Sequence, residues 1–344
     1  MAAELRIALS GAGKAGTLLA RAFHEHPRAE VVRICSGSVA SAETLARELA
    51  IPDFGNDYKK TVDDSRIDAV VVASPDKFHC EQAVGALSAG KHVYCEKPMC
   101  NSVDEATQML DAANRAEKTL MIGFTERFNQ PMMEAKARIE NGEIGRPVMI
   151  LARRCHPKFI VRGREWLNDR ETGGVINYAG THNLDLVCWL MGSEPIRIHA
   201  EGGRLVLPPE QEFMDSAVMT LKFANGSIAT LYESFGYPDP YPHGCDRSME
   251  ILGTEGCIKL DMMSQPLQVF TPKGHSIADA LTWPWTAGDV EGAVARIVNH
   301  FIEAVLDGVP VSTPGESGLL AMRLAIAATR AATTGQTESL ELPR

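Results

Sequence analysis

The chain predicts an α/β protein in which a doubly wound parallel sheet is followed by an α+β domain with a large, mainly antiparallel sheet. Three observations carry this. Apolar runs alternate with helical patterns over residues 1–123, the rhythm of strand–helix–strand units. One early strand runs straight into a glycine-rich turn and a helix. Beyond residue 196, strand-like segments follow one another with no helix between them. At 344 residues the chain is long for one core and suits two domains. The reading places the boundary between 1–123 and 124–344.

Composition narrows the class. Hydrophobic residues make up 45% and charged residues 23%, ordinary values for a globular protein. The net charge of -10 disfavours a whole-surface electrostatic grip on nucleic acid or anionic membrane. A local positive pocket for a phosphate stays open. The N-terminal sequence lacks the cationic and apolar segments of an export signal. No apolar run approaches the roughly 18 residues of a membrane span. The eight cysteines are scattered without CxxC pairs and read as reduced thiols of a cytoplasmic protein. Cys155-His156 and His243-Gly244-Cys245 lack the paired spacing of a zinc site, so no metal is expected.

The first strand, 5–9, leads into Gly11-Ala12-Gly13-Lys14-Ala15-Gly16. Gly11 allows the tight turn, Gly13 a close backbone approach to a pyrophosphate, and Gly16 the packing of helix on strand. The backbone N–H groups around Lys14 and Ala15 open the helix and face the phosphates. The stretch therefore predicts dinucleotide binding. The second strand, 31–35, ends in Ser36-Gly37-Ser38. An NAD-preferring site usually has a carboxylate there for the adenosine ribose hydroxyls. Its lack removes repulsion against a 2′-phosphate, and Ser36 and Ser38 offer hydroxyls, which favours NADP. The alternative is a merely permissive loop that binds NAD without a carboxylate. Arg33 and Arg47 are the cations near that point.

A helix over 42–50 and an amphipathic segment over 58–64 precede the apolar run 68–73, a central strand of a parallel sheet. Ser74, Pro75, Asp76 and His79 follow at its carboxyl edge, where such sheets bind ligands, and are assigned to the cofactor. After a helix over 78–89, Gly90 to Met99 (GKHVYCEKPM) gives a fifth strand, 92–95, that delivers Glu96 and Lys97 to its end. Pro98 biases Lys97 away from helical angles and breaks the chain there. An anion beside a cation on a rigid stop suits a catalytic post, though taken alone the stretch reads first as a surface ion pair. A helix capped by Asn101 or Ser102 runs to about 117, and 120–124 is the sixth strand.

GAGKAG, SPDKFH, AGKHVYCEKP and the GTEG of 253–256 resemble the Gfo/Idh/MocA oxidoreductases, the family of glucose–fructose oxidoreductase and inositol dehydrogenase. The resemblance covers nearly the whole chain. It implies a Rossmann domain and a substrate-binding and oligomerisation domain. It also implies NAD(P)-dependent hydride transfer at a hydroxyl or keto carbon of a sugar, sugar derivative or cyclitol. Glu96 would contact the nicotinamide ribose, and Lys97 the reacting oxygen. Two rival readings are an NAD-dependent glycosidase of the same family and a non-catalytic dinucleotide sensor.

In the second half, Arg127 and Asn129 follow the sixth strand on its ligand side, and the resemblance borders the substrate pocket with them. The alternative is a surface linker ahead of the helix 132–141. Within 173–185, Tyr178, His182 and Asp185 are four and three residues apart, so one helical face would present all three. A phenol, an imidazole and a carboxylate suit proton transfer, and a core helix is the alternative. The resemblance puts the catalytic His at His182 and a later acid at Asp185. It also puts Tyr178 where the family has Asp, so Tyr178 is a candidate substrate ligand or proton relay. Strands are expected at 148–153, 197–204, 216–223, 227–234, 248–252, 257–260 and 267–270. The exposed face of that sheet would need a partner, so a homodimer or homotetramer is expected. The loop 236–247 reads equally as a substrate cover or an ordinary long loop, and the pair Trp283 and Trp285 reads first as structural packing, with sugar stacking as the alternative. Two helices, 290–306 and 318–333, close the chain.

Overall fold

A computed structural model describes residues 4–163, 167, 174–241, 245–262, 268–272, 274–277, 285–286 and 289–340. The side chains of Trp283 and Trp285 and the residue His243 lie outside what is described. The chain forms two compact units, Met1–Phe128 with Thr282–Leu319, and Asn129–Leu281 with Leu320–Arg344. The sequence reading divides the chain once, after residue 123. Each compact unit instead uses the chain twice.

The first unit holds six parallel strands: β1 (Leu5–Ser10), β2 (Ala29–Cys35), β3 (Asp53–Gly55), β4 (Ala69–Val72), β5 (His92–Cys95) and β6 (Leu120–Ile122). Their order is β3-β2-β1-β4-β5-β6. Between them run α1 (Lys14–Glu25), α2 (Val39–Glu48), α3 (Tyr58–Asp63), α4 (His79–Ser88) and α5 (Val103–Ala116). The chain order reverses beside β1, whose neighbours are β2 and β4, and such a switch point opens a crevice at the carboxyl ends of the strands. The sequence pattern misses β3, whose three residues are too short for a periodicity. β4 is fully buried along its length, which explains its unbroken apolar run. The start of α5 is a capping box. Glu105 N–H donates to Ser102 Oγ at 3.1 Å, and Asn101 N–H to Glu105 Oε2 at 2.8 Å.

The late segment of this unit contributes α8 (Gly292–Leu306). Its Phe301 meets Phe23 of α1 and Tyr94 of β5 in a three-ring cluster. Centroids lie 5.9 to 6.3 Å apart and all pairs are edge-on. All three side chains are fully buried. Each such pair adds about 0.5–1.5 kcal/mol beyond area burial, which accounts for the return of a C-terminal helix to an N-terminal core.

The second unit is built on α6 (Gln130–Glu140), β7 (Pro147–Pro157), α7 (Thr181–Met191), β8 (Pro195–Gly203), β9 (Ser216–Phe223), β10 (Ile228–Tyr237), β11 (Asp246–Gly253) and β12 (Cys257–Asp261). Two hairpins follow, β13 (Gln268–Thr271) with β14 (Gly274–Ile277), and β15 (Trp285–Thr286) with β16 (Asp289–Val290), the latter in the first unit. The helix α9 (Gly315–Thr334) begins in the first unit and continues in the second from Leu320. The chain ends in β17 (Glu338–Ser339). The sheet runs β12-β11-β7-β10-β9-β8-β17. It is antiparallel except at its centre, where β7 and β10 run parallel. The expected strand over 267–270 forms β13, which pairs with β14 and stays outside this sheet.

One face of the sheet is covered by α7 and α9 residues in a common core that includes Leu184, Leu190, Leu231, Phe235, Leu324 and Ala328. Glu233 of β10 lies in that covered face and is fully buried. Asn183 Nδ2 donates to its Oε1 at 2.8 Å, and no described group bonds its Oε2. Burial pushes the Glu233 carboxyl up to about 8, against the opposing pull of Arg154 and Asn183. The folded chain therefore keeps a proton that the unfolded chain releases near 4.5. More protons are bound folded than unfolded across that window, so this group's contribution to stability falls as pH rises through it and levels off above about 8. At 1.36 kcal/mol per unit the loss is at most on the order of 5 kcal/mol. Glu233→Gln keeps the acceptor for Asn183 and removes the titration. Thermal denaturation between about pH 5 and about pH 9 should show a flatter profile for the variant and a higher midpoint at the alkaline end.

Candidate functional site

At the carboxyl end of β1 the backbone is shaped for close approach. Gly11 has φ +109, and a side chain there would overlap the Ala73 carbonyl. A side chain at Gly16 would strike the Gly11 carbonyl. Gly13 differs, because a Cβ there would meet nothing within 4 Å. Two glycines are thus required by packing, and the third leaves room for a ligand. Gly13 is the N-cap of α1, no side chain caps the helix, and its first turn has no acidic residue. The N–H groups opening α1 at Lys14 and Ala15 are then available to an anion. This fits a dinucleotide pyrophosphate.

After β2, Ser36 is half-buried and its N–H donates to Gly55 O at 2.9 Å. Gly37 and Ser38 are exposed, and Ser38 Oγ caps α2 by accepting from Ser41 N–H at 3.3 Å. Neither nearby arginine reaches toward this loop as an unengaged cation. Arg33 is buried in an ion pair with Asp53 and donates to Thr61 Oγ1 at 2.9 Å. Arg47 pairs with Glu43 one turn back on α2.

Beyond β4, Ser74 Oγ donates to Gln82 Oε1 at 2.8 Å, and Ser10 Oγ donates to the same oxygen at 2.9 Å. Gln82 of α4 thereby ties the ends of β1 and β4 together. Pro75 and Asp76 lead into a single 3-10 turn, Asp76–Phe78. His79 is 2% exposed. Its Nδ1 lies 2.8 Å from Pro98 O and its Nε2 2.8 Å from Ser74 O, so the ring is engaged inward rather than presented to a ligand.

Glu96 and Lys97, both half-buried, stand at the end of β5, next to β4 in the sheet. Glu96 Oε2 accepts from Lys97 N–H at 3.2 Å, and Oε1 from Tyr94 Oη at 3.4 Å. The carboxylate is thus turned back over its own strand, onto Gly123, where a Cβ would sit 2.9 Å from Oε1. Burial raises the Glu96 pKa, and Lys97 opposes the rise. Arg127 lies in a 3-10 turn after β6. Its Nη1 donates to Ser312 O at 2.6 Å and its Nη2 to Ser317 Oγ at 3.1 Å, which anchors the entry to α9.

The remaining candidates belong to the second unit. Asn129 is fully buried and caps α6 with its backbone, accepting from Met133 N–H at 2.9 Å. Tyr178 lies in a π-helical turn, Ile176–Gly180, that runs into α7. The α-helical face expected from the spacing of Tyr178, His182 and Asp185 therefore starts only at Thr181. The wider π turn changes the angular step between Tyr178 and His182, and such turns cluster at functional sites. The Tyr178 ring is 5.9 Å from Phe235, whose other neighbours are Phe213 and His156. His182 and Asp185 are buried on α7, 7% and 3% exposed. Cys245 Sγ lies 3.7 Å from His156 Nε2. Among the described residues no group of three or more metal-ligating side chains is assembled. Among the described residues no helix is long and apolar enough to cross a membrane.

Sequence reasoning misses Gln82, Tyr94 and the Asn183–Glu233 pair. Only the place of Gln82 three residues after His79 on one helix hints at the first.

Residues 5–124 match the oxidoreductase family with an NAD-binding Rossmann fold, and residues 132–259 match the GFO/IDH/MocA C-terminal domain. The chain is 29% identical to the Bacillus subtilis oxidoreductase YrbE, over 99% of this chain and 98% of that one. It is 25% identical to the myo-inositol 2-dehydrogenase of Thermotoga maritima, over 98% of this chain and 99% of that one. In fold it resembles scyllo-inositol dehydrogenase from Lactobacillus casei, with a TM-score of 0.84, 21% identity and coverage of 98% and 99%. The glycine turn left open at Gly13, the Glu-Lys-Pro stop after β5 and the two matched domains agree, and the chain belongs to the GFO/IDH/MocA family of NAD-binding oxidoreductases.

Proposed function

We propose that this enzyme moves a hydride between nicotinamide and a secondary hydroxyl or keto carbon of a cyclitol, sugar or sugar derivative. The observation that carries this is the placement, at the carboxyl edge of one parallel sheet, of an anion cradle at Gly13 after β1 and of Lys97 after β5, with β4 between the two strands. Relatives named as inositol dehydrogenases support the substrate class. The first unit binds the dinucleotide, and the second supplies substrate groups and the oligomer contact.

A nicotinamide held by the first unit would supply the hydride chemistry. Lys97 donates a hydrogen bond to the reacting oxygen and stabilises its developing negative charge. His182 accepts the hydroxyl proton in the oxidation direction. Glu96, held by Tyr94 and the Lys97 N–H, contacts the nicotinamide ribose. Ser74, Pro75 and Asp76 line the cofactor side. Tyr178, Arg127, Asn129 and Asp185 complete the substrate side, with Tyr178 offering a phenolic hydroxyl where the family has a carboxylate.

We further propose that both dinucleotides are used and NADP is the better. No carboxylate follows β2 to repel a 2′-phosphate, and Ser36 and Ser38 supply hydroxyls. Because Arg33 is committed to Asp53, the preference is a modest one. The eight free cysteines support a reducing, cytoplasmic setting. Leu151, Val218, Tyr232 and Leu252 are exposed on four strands of the second sheet, and the strand register puts all four on one face. That face supports assembly of a homodimer or homotetramer.

A panel of cyclitols and sugars assayed with NAD and NADP in parallel, read by reduced-nicotinamide absorbance, tests the central reading; no redox change with any of them would overturn it. Lys97→Met should lower kcat by about 10³-fold or more while dinucleotide binding, read by NADPH fluorescence, changes little. Ser36→Asp should move the NAD-over-NADP ratio of kcat/KM toward NAD by about tenfold, through repulsion of the 2′-phosphate. Val218→Asp should reduce the mass measured by light scattering to that of a smaller assembly, and an unchanged mass rules this face out.

A further inference from the structure

His79 is a buried titratable group beside the Lys97-Pro98 stop that the mechanism leaves unused. It opens α4, the helix that connects β4 to β5. Its ring joins two backbone carbonyls from two different loops. Ser74 O belongs to the loop leaving β4, and Pro98 O follows Lys97 on the loop leaving β5. The two strands are parallel neighbours whose last residues, Val72 and Cys95, are in register. Both contacts are 2.8 Å, and the side chain is 2% exposed.

The chemistry of the ring suits this task. Imidazole carries its two nitrogens on a rigid plane, and the protonated ring can donate to acceptors on both sides at once. An amide side chain has both donor hydrogens on one nitrogen and cannot span the same gap. The neutral ring donates through one nitrogen, and protonation supplies the second donor. Burial opposes that protonation and lowers the His79 pKa, as does Lys97, while the two carbonyls and Asp76 favour it. Either form keeps at least one carbonyl satisfied in a place closed to water, and an unpaired buried carbonyl is costly.

We propose that His79 is a positioning residue that clasps the cofactor loop at Ser74 to the Lys97-Pro98 stop, and so fixes Lys97 for hydride transfer. The inference rests on the assignment of Lys97 to the reacting oxygen. The clasp acts on placement, whereas Gly11, Gly13 and Gly16 hold the dinucleotide without it. Removing the clasp therefore costs turnover rather than dinucleotide binding. A displacement of about 1 Å at a reacting group lowers rates by up to about 10²-fold.

The test is His79→Ala, with and without added imidazole, which fits the space the side chain vacates. Steady-state rates are measured with myo-inositol, scyllo-inositol or whichever panel sugar the parent turns over fastest, and NADPH binding by fluorescence titration. Hydrogen exchange is followed by mass spectrometry on the peptide spanning Lys97 to Cys100. The expected result is a kcat loss of about 10- to 100-fold, NADPH affinity within about threefold, and faster exchange at Lys97 to Cys100. Imidazole should restore both kcat and protection. A packing role alone would be rescued equally by thiophene, a ring of similar size with no N–H donor, whereas the clasp responds to imidazole and not to thiophene. Parent-like kcat and exchange in His79→Ala, or a defect that imidazole leaves untouched, overturns the clasp. Should His79→Ala fail to fold, His79→Gln retains one donor and should show an intermediate kcat with parent-like binding; full activity there overturns the proposal. If Lys97→Met remains active, the reading of Lys97 fails. If Lys97→Met is inactive while His79→Ala is normal, only the clasp fails.

Discussion

The first unit depends on the packing of Tyr94 against Phe23 and Phe301. These rings come from β5, α1 and α8, and they close the core beneath the strand that ends in Glu96 and Lys97. The phenol is pushed far above its ordinary range by burial and so stays protonated. Its hydroxyl reaches Glu96, linking an apolar cluster to the first polar residue of the strand end. A catalytic cation needs a rigid support, because side chains on ordered strand ends are placed more exactingly than those on loops. Here the strand that ends in Glu96 and Lys97 packs on an edge-on aromatic cluster.

Around that strand the polar groups are tied to one another and to backbone. Gln82 collects the hydroxyls of Ser10 and Ser74, and His79 spans the carbonyls of Ser74 and Pro98. Loops at the carboxyl edge of a parallel sheet expose carbonyl and amide groups that need partners, and α4 supplies them. The helix after the loop therefore builds the site as much as the loop does. Its inward side chains Gln82 and His79 hold that loop in place.

In the second unit the entry to α7 carries the unusual features. The π-helical turn at Ile176–Gly180 sets Tyr178 out of the α-helical step of His182 and Asp185. Directly after it, Asn183 meets the buried Glu233. An ionisable group with one unsatisfied oxygen is an expensive thing to place in a core. It is tolerated here because the carboxyl stays protonated near neutrality.

By itself the sequence determined the parallel first sheet, the glycine turn, the strand-end Glu96-Lys97-Pro98 stop, and the helix-free run of strands that follows. These are local signals. Periodicity, turn chemistry and chain stops act over a few residues and survive in one dimension. The sequence also marked His182 and Asp185 for a helix, and they lie on α7. Only the tertiary structure decided which polar side chains are already engaged. Arg127 reads as a ligand-side cation, but its guanidinium is met by Ser312 and by Ser317, the latter 190 positions away. Asn183 finds Glu233 across 50 positions, and Phe301 brings a late helix back to the first core. The parallel pairing of β7 with β10 likewise joins strands separated by two others. Contacts of this kind depend on which surfaces meet after collapse, and no local pattern records them. The same holds for His79, whose two partners are set by the register of β4 against β5.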